Sequence, residues 1–214
     1  MKTLTSTILT FILILSINVQ SLASPANALR NLRKHYRSIE TIHAKFTERF
    51  EWAMTGEVVE MEGTMHVGND NKFRIETEVQ LLICEGLNIY RYNKQRNQLI
   101  IEPVKGGGAD NLLPRKILLD FADEFKAVGM TELPVEGKAG YRLDLDPLKS
   151  EEVLLKSASI WATSADNIVH RIRLVDLNGN STTYSLSEIK INTPITKESI
   201  TFEISPDMDV FDLR

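Results

Sequence analysis

The sequence predicts a mainly β fold (α+β class): one antiparallel sheet of about ten strands that curls on itself, with two short helices to cover its concave side. Three observations carry this. Stretch after stretch alternates polar and apolar residues at period two, Gly, Asn and Asp punctuate the stretches, and only two segments after the leader show helical spacing. No linker or shift in composition divides the chain, so residues 24–214 read as one domain.

Residues 1–23 read as a cleaved secretory signal peptide. Lys2 supplies a positive start, Ile8 to Val19 is largely apolar, and Ser21-Leu22-Ala23 offers small residues before a cut ahead of Ser24. The apolar run is short for a membrane span. Export is therefore predicted, with a soluble mature product.

Pro25 to Arg37 places Leu29, Leu32 and Tyr36 on one helical face, and Pro25 suits a first turn. TIHAKFTERFEW (41–52) then alternates as a strand with one wet and one dry face. Its dry row is Ile42, Ala44, Phe46, Glu48, Phe50 and Trp52, so a single carboxylate interrupts it. GEVVEMEGTMHV (56–67) alternates weakly. KFRIETEVQLLI (72–83) reads as one long strand with Phe73, Ile75, Thr77, Val79, Leu81 and Ile83 in step. Short strands follow at 87–92 and 98–101.

Lys105-Gly106-Gly107-Gly108 reads as a flexible loop. PRKILLDFADEF (114–125) reads as an amphipathic helix presenting Ile117, Leu118, Phe121 and Phe125. Strands resume at 141–145, 157–163, 168–177, 182–191 and 199–204. Asn178-Gly179 marks a two-residue hairpin.

Composition excludes several functions. The formal charge of −4, or −5 once Lys2 is removed, and the lack of a basic cluster interleaved with aromatics argue against nucleic acid. Cys84 is the single cysteine, so no internal disulfide forms, and its apolar neighbours Leu81, Leu82 and Ile83 suggest a buried, inert thiol. The glycine triplet lacks the Lys-Ser/Thr of a phosphate loop, and Asp176 to Asn180 fits a hairpin turn better than a calcium loop. His35, His43, His66 and His170 show no short metal-ligand spacing. No catalytic, metal or cofactor site emerges. An exported hydrolase using dispersed histidines and carboxylates ranks well below a binding protein.

The apolar strand faces admit two readings. Phe46, Phe50, Trp52, Phe73, Ile75 and Leu82 on the sheet, with Leu118, Phe121 and Phe125 on the helix, make either a filled core or the walls of a half-barrel that holds hydrocarbon.

Ordered motifs over the whole mature chain bear on the choice: SIETIHAKFTE (38–48), EGTMHVGNDNKFRIET (62–77), CEGLNIYRYNKQRNQ (84–98), PRKILLDF (114–121), YRLDLDP (141–147), VDLNGNSTTYSLSEIKIN (175–192) and ITFEISPDMDVFD (200–212). Together they resemble the LolA family of periplasmic lipoprotein carriers. The resemblance implies an unclosed antiparallel β-barrel of about ten to eleven strands, with an N-terminal helix and a helical lid over a hydrophobic cavity. It implies a periplasmic, monomeric carrier without catalysis or cofactor. Such a carrier takes acylated lipoproteins from an inner-membrane ABC transporter and passes them to an outer-membrane acceptor. The alternative within binding proteins is a carrier of a free lipid or another acylated molecule. The lipid-binding wall would be Phe46, Phe50, Phe73, Ile75 and Leu82, and the lid face Leu118 and Phe121. The family pattern places an arginine after the strand aligned with Met65–Val67. Counting back from Phe73, that position is Asn69 here, which joins Glu48 as a residue of the cavity rim or lid latch. Glu48 should be solvated at the rim or paired with a lid donor such as Arg115 or Lys116.

Overall fold

The computed structural model describes residues 24–69, 71–104, 124–148 and 155–214. It opens with helix α1 (Pro25–Arg37), followed by β1 (Thr41–Glu51), β2 (Val58–Gly68), β3 (Lys72–Thr77), β4 (Gln80–Glu85), β5 (Asn88–Asn93) and β6 (Gln98–Pro103). Then come β7 (Phe125–Val135), β8 (Lys138–Pro147), β9 (Leu155–Thr163), β10 (Val169–Asp176) and β11 (Ser181–Ile191). A short helix α2 (Lys197–Ile200) and β12 (Asp209–Asp212) end the chain. The strands form one sheet in the order β12-β6-β5-β4-β3-β2-β1-β11-β10-β9-β8-β7, which leaves β12 and β7 as unjoined edges. The fold is thus the unclosed, mainly β architecture predicted, with twelve strands among the described residues rather than ten or eleven.

Helix α1 begins as predicted. Ser24 caps it by accepting from the Asn27 N–H at 3.2 Å, and Pro25 occupies the first turn, where its missing N–H costs nothing. Its buried stripe is Ala28, Leu29, Leu32 and Tyr36. The stripe belongs to the same core cluster as Ile42, Ala44, Phe46, Met65, Val67, Phe73, Cys84 and Ile89, which defines the inner face of the sheet. Two bonds fix the helix. The Tyr36 hydroxyl accepts from the buried Val169 N–H at 2.9 Å, and Arg33 Nη2 donates to the Phe125 carbonyl at 2.6 Å.

Three departures from the expected elements have physical reasons. The 72–83 stretch is two strands: Gln80 N–H donates to Thr77 Oγ1 at 3.0 Å, closing a hairpin that the unbroken alternation conceals. After that turn Leu82 and Cys84 face inward, and Leu81 and Ile83 outward. Phe125 is not helical but opens β7, an edge strand, where Pro134 and a bulge beside Gly129 are tolerated. The rest of the proposed lid, with Leu118, Phe121, Arg115 and Lys116, lies outside the described residues. Finally, 199–204 is not a strand. After β11 the chain crosses the outer face, where Ile200 packs with Leu81 and Ile83, and Phe202 lies 6.0 Å from the Tyr90 ring. It then pairs β12 parallel to β6.

The hairpin between β10 and β11 also differs in detail. Asp176 Oδ1 accepts from the N–H groups of Asn178 and Asn180, and Gly179 takes φ 87°, so the loop is longer than the two-residue turn expected.

One glycine is required by close approach. A Cβ on Gly63, in β2, would stand 2.4 Å from the Glu76 carbonyl oxygen of β3 and 2.8 Å from Phe46 Cζ. Because backbone and a packed ring block both sides, Gly63→Ala is expected to cost about 1–3 kcal/mol in urea unfolding.

Candidate functional site

The inner face has two zones. Near α1 it is closed: Phe46 and Phe73 are only 5% and 2% exposed within the core cluster. Towards the other ends of β1 and β2 the apolar side chains Phe50, Met61, Leu174 and Tyr184 become half-buried, while Ile75 and Leu82, level with Met65 and Ala44, are half-buried against the core cluster. Cross-strand register aligns them, with Glu48 opposite both Met61 and Tyr184, and Ile75 opposite Leu82. The sheet therefore puts Phe46, Phe50, Phe73, Ile75 and Leu82 on one inner face, Phe46 and Phe73 sealed in the packed core and Phe50, Ile75 and Leu82 half-buried. Trp52 falls just past the end of β1, its ring edge-on to Phe50 at 4.5 Å.

Glu48 stands on this inner face with Phe46 and Phe50, as the alternation of β1 predicts. It is half-buried and has no hydrogen bond or ion pair among the described residues. Burial pushes its carboxyl above the ordinary value. Tyr184, facing it, is pushed up by its own burial and then by the Glu48 charge. Tyr184 had no signal in the sequence, because the pairing of β1 with β11 cannot be read from local pattern.

A raised carboxyl has a definite sign. Between the ordinary value of 4.5 and its folded value, the folded chain keeps a proton that the unfolded chain has lost. The Glu48 contribution to stability is thus full below 4.5 and is lost as pH rises through the folded value. Glu48→Gln should remove that slope, so its urea midpoint should gain on the parent between pH 4 and pH 7.

Asn69, the other rim candidate, is elsewhere. It lies beyond the Thr41–Gly68 pair at the α1 end, seven residues along β1 from Glu48. That is on the order of 24 Å at strand rise. Its carbonyl accepts from the Lys72 N–H at 3.0 Å in the β2–β3 turn.

An ion pair stands on the inner face further along the sheet. Arg91 Nε donates to Glu102 Oε1 at 2.5 Å on β5 and β6. Arg74 faces outward, paired with Glu76 at 2.7 Å. Cys84 is fully buried, and burial raises its thiol, which fits an inert side chain. His43 and His66 do meet on the outer face, ring centroids 5.3 Å apart, and the His66 Nε2 lies 3.1 Å from the Thr193 carbonyl. No group of three metal-binding side chains forms among the described residues.

A pocket of about 630 Å³ lies on the outer face between the sheet and the C-terminal segment, lined by Arg74, Leu81, Tyr92, Lys197, Phe202 and Met208 among others. Its lining mixes charge with apolar carbon. The inner face offers more half-buried apolar side chains, with Glu48 as the charge among them, and is the stronger candidate for hydrocarbon.

The model of the family described as "Outer membrane lipoprotein carrier protein LolA" matches residues 37–203, well over half of the chain. The chain belongs to the LolA family. No curated protein matches the sequence. Among solved structures, it resembles an uncharacterized conserved protein from Thermus thermophilus at 13% identity and TM-score 0.56, over 88% of this chain and 99% of that one. The Mycobacterium tuberculosis lipoprotein LppX follows at 10% identity and TM-score 0.49, over 80% and 97%. The LolA superfamily protein NE2245 from Nitrosomonas europaea gives 8% and 0.42, over 81% and 97%. The Thermus likeness concerns the fold alone, which it matches along almost its whole length. The LolA-family fold is of the carrier and binding type. No helix among the described residues is long and apolar enough to cross a membrane.

Proposed function

We propose that this protein is a periplasmic lipoprotein carrier, exported by its N-terminal segment, that shields acyl chains against the inner face of the open sheet. It receives acylated lipoproteins from an inner-membrane ABC transporter and passes them to an outer-membrane acceptor, without catalysis. The observation that carries this reading is the set of half-buried apolar side chains on that face, Phe50, Met61, Ile75, Leu82, Leu174 and Tyr184. Leu118 and Phe121 are proposed as the lid over it.

The energetics favour such a loosely packed wall. Each fully buried methylene contributes roughly 0.8 kcal/mol, so complete enclosure of several long chains would bind too tightly to release. A wall that leaves chains partly in contact with water keeps affinity within a reversible range.

A second reading, carriage of a free lipid or another acylated molecule, is favoured by Asn69 standing where the family pattern has an arginine. Displacement of a fluorescent fatty-acyl probe separates the two. An acylated lipoprotein should displace the probe. Displacement by free fatty acid but not by lipoprotein would select the second reading, and failure of the probe to bind would contradict both.

A further inference from the structure

Glu48 is placed where a hydrocarbon site has no use for it. Its cross-strand neighbours on the inner face are Met61 and Tyr184, and its same-face neighbours along β1 are Phe46 and Phe50. The next strands present Ile75 and Thr77 on β3, and Ile172 and Leu174 on β10. Across the central run β3-β2-β1-β11-β10, Glu48 is the one charged side chain on this face, apart from Asp176 at the terminal turn of β10. The inner-face Glu102 has Arg91 to neutralise it. Glu48 has no such partner among the described residues, and none of them donates a hydrogen bond to it. The Tyr184 hydroxyl opposite is likewise without a hydrogen bond among those residues.

A half-buried carboxylate on an apolar wall, unpaired among the described residues, gains from a ligand that completes it. The group that would do so is a cation with N–H donors: the carboxylate accepts from it, and the aromatic rings of Phe50 and Tyr184 can face its positive charge. We propose that Glu48, with Tyr184 beside it, is an anchor for an ammonium group, and that it selects cargo carrying a free amine next to the acyl chains. This rests on the reading of the inner face as the acyl-binding wall. The amine could belong to a lipid headgroup or to the free α-amino group of a diacylated lipopeptide, since the chemistry recognised is the same. N-acylation would abolish the positive charge, and fatty acids would meet repulsion.

Displacement of a neutral fluorescent acyl probe by dodecylamine, dodecanol and dodecanoate tests the anchor at neutral pH. The wild-type protein should prefer dodecylamine to dodecanol by at least about tenfold, and dodecanoate should be the weakest. In Glu48→Gln the amine-to-alcohol ratio should collapse to near one. Two further arms assign the source. A diacylated lipopeptide with a free amine is compared with its N-acylated form, and lysophosphatidylethanolamine with lysophosphatidylglycerol. The arm in which the free amine gains and the gain disappears in Glu48→Gln identifies the amine's carrier. Equal binding of amine and alcohol by the wild type, or a preference that survives in Glu48→Gln, overturns the anchor while leaving the acyl-binding wall intact. If none of the alkyl compounds binds, the wall itself is refuted and the anchor with it.

Discussion

Replacing Phe73 with alanine is expected to lower folding stability by about 3–5 kcal/mol, read as a drop in the urea midpoint with an unchanged slope. Phe73 is 2% exposed and is among the largest fully buried side chains. It pairs with Val67 on one side and Cys84 on the other, both at 0% exposure, and belongs to the cluster that includes the α1 stripe. Removing the ring leaves a void bounded by strands whose hydrogen bonds oppose collapse, so little of the loss is recovered. A glutamate at 73 would be worse, because the buried carboxylate would find no partner. Phe73 therefore tests the core. A loss below about 1 kcal/mol would mean that the region is loosely packed.

Ile75→Glu is expected to have the opposite signature: the fold persists and acyl binding is lost. Ile75 is half-buried on the same strand face, so its replacement can keep partial contact with water. Its cross-strand neighbours, Met65 and Leu82, offer no cation to neutralise a new carboxylate. A bound chain would have to desolvate that charge, at a cost of several kcal/mol, which is at least a hundredfold in affinity. Leu82 is a poorer choice, because Arg91 stands directly opposite it and would pair with the introduced acid. Circular dichroism and the urea midpoint would establish that the fold survives, and probe titration would measure the loss.

The contrast between these two positions shows how far the sequence can be read. Alternation in 41–52 and 72–77 correctly puts Phe46, Glu48, Phe50, Phe73 and Ile75 on one face, because strand periodicity is local. It cannot say which of them are sealed in, since that depends on α1 and on strands far away in the chain. The same limit hides Tyr184, which meets Glu48 through a pairing between β1 and β11. Alternation also overran the Thr77–Gln80 turn, where Glu78 and Val79 continue the period without a turn residue. β7 escaped detection because Gly129 and Pro134 weaken its pattern, and an edge strand tolerates both. β12 pairs in parallel only after a long crossing of the outer face. No local signal could show that. Helix α1, by contrast, declared its first turn and most of its buried stripe, though not its Ser24 cap.

The central claim is that acyl chains lie on the inner face of the sheet, and photolabelling tests it most directly. A neutral fatty alcohol bearing a diazirine near its methyl end is bound to the intact mature protein and activated, and the attachment sites are mapped by mass spectrometry. Label is predicted on Phe50, Met61, Ile75, Leu82, Leu174 and Tyr184, and is lost in Ile75→Glu. Label confined to the outer-face pocket, at Tyr92, Phe202 and Met208, would contradict the account.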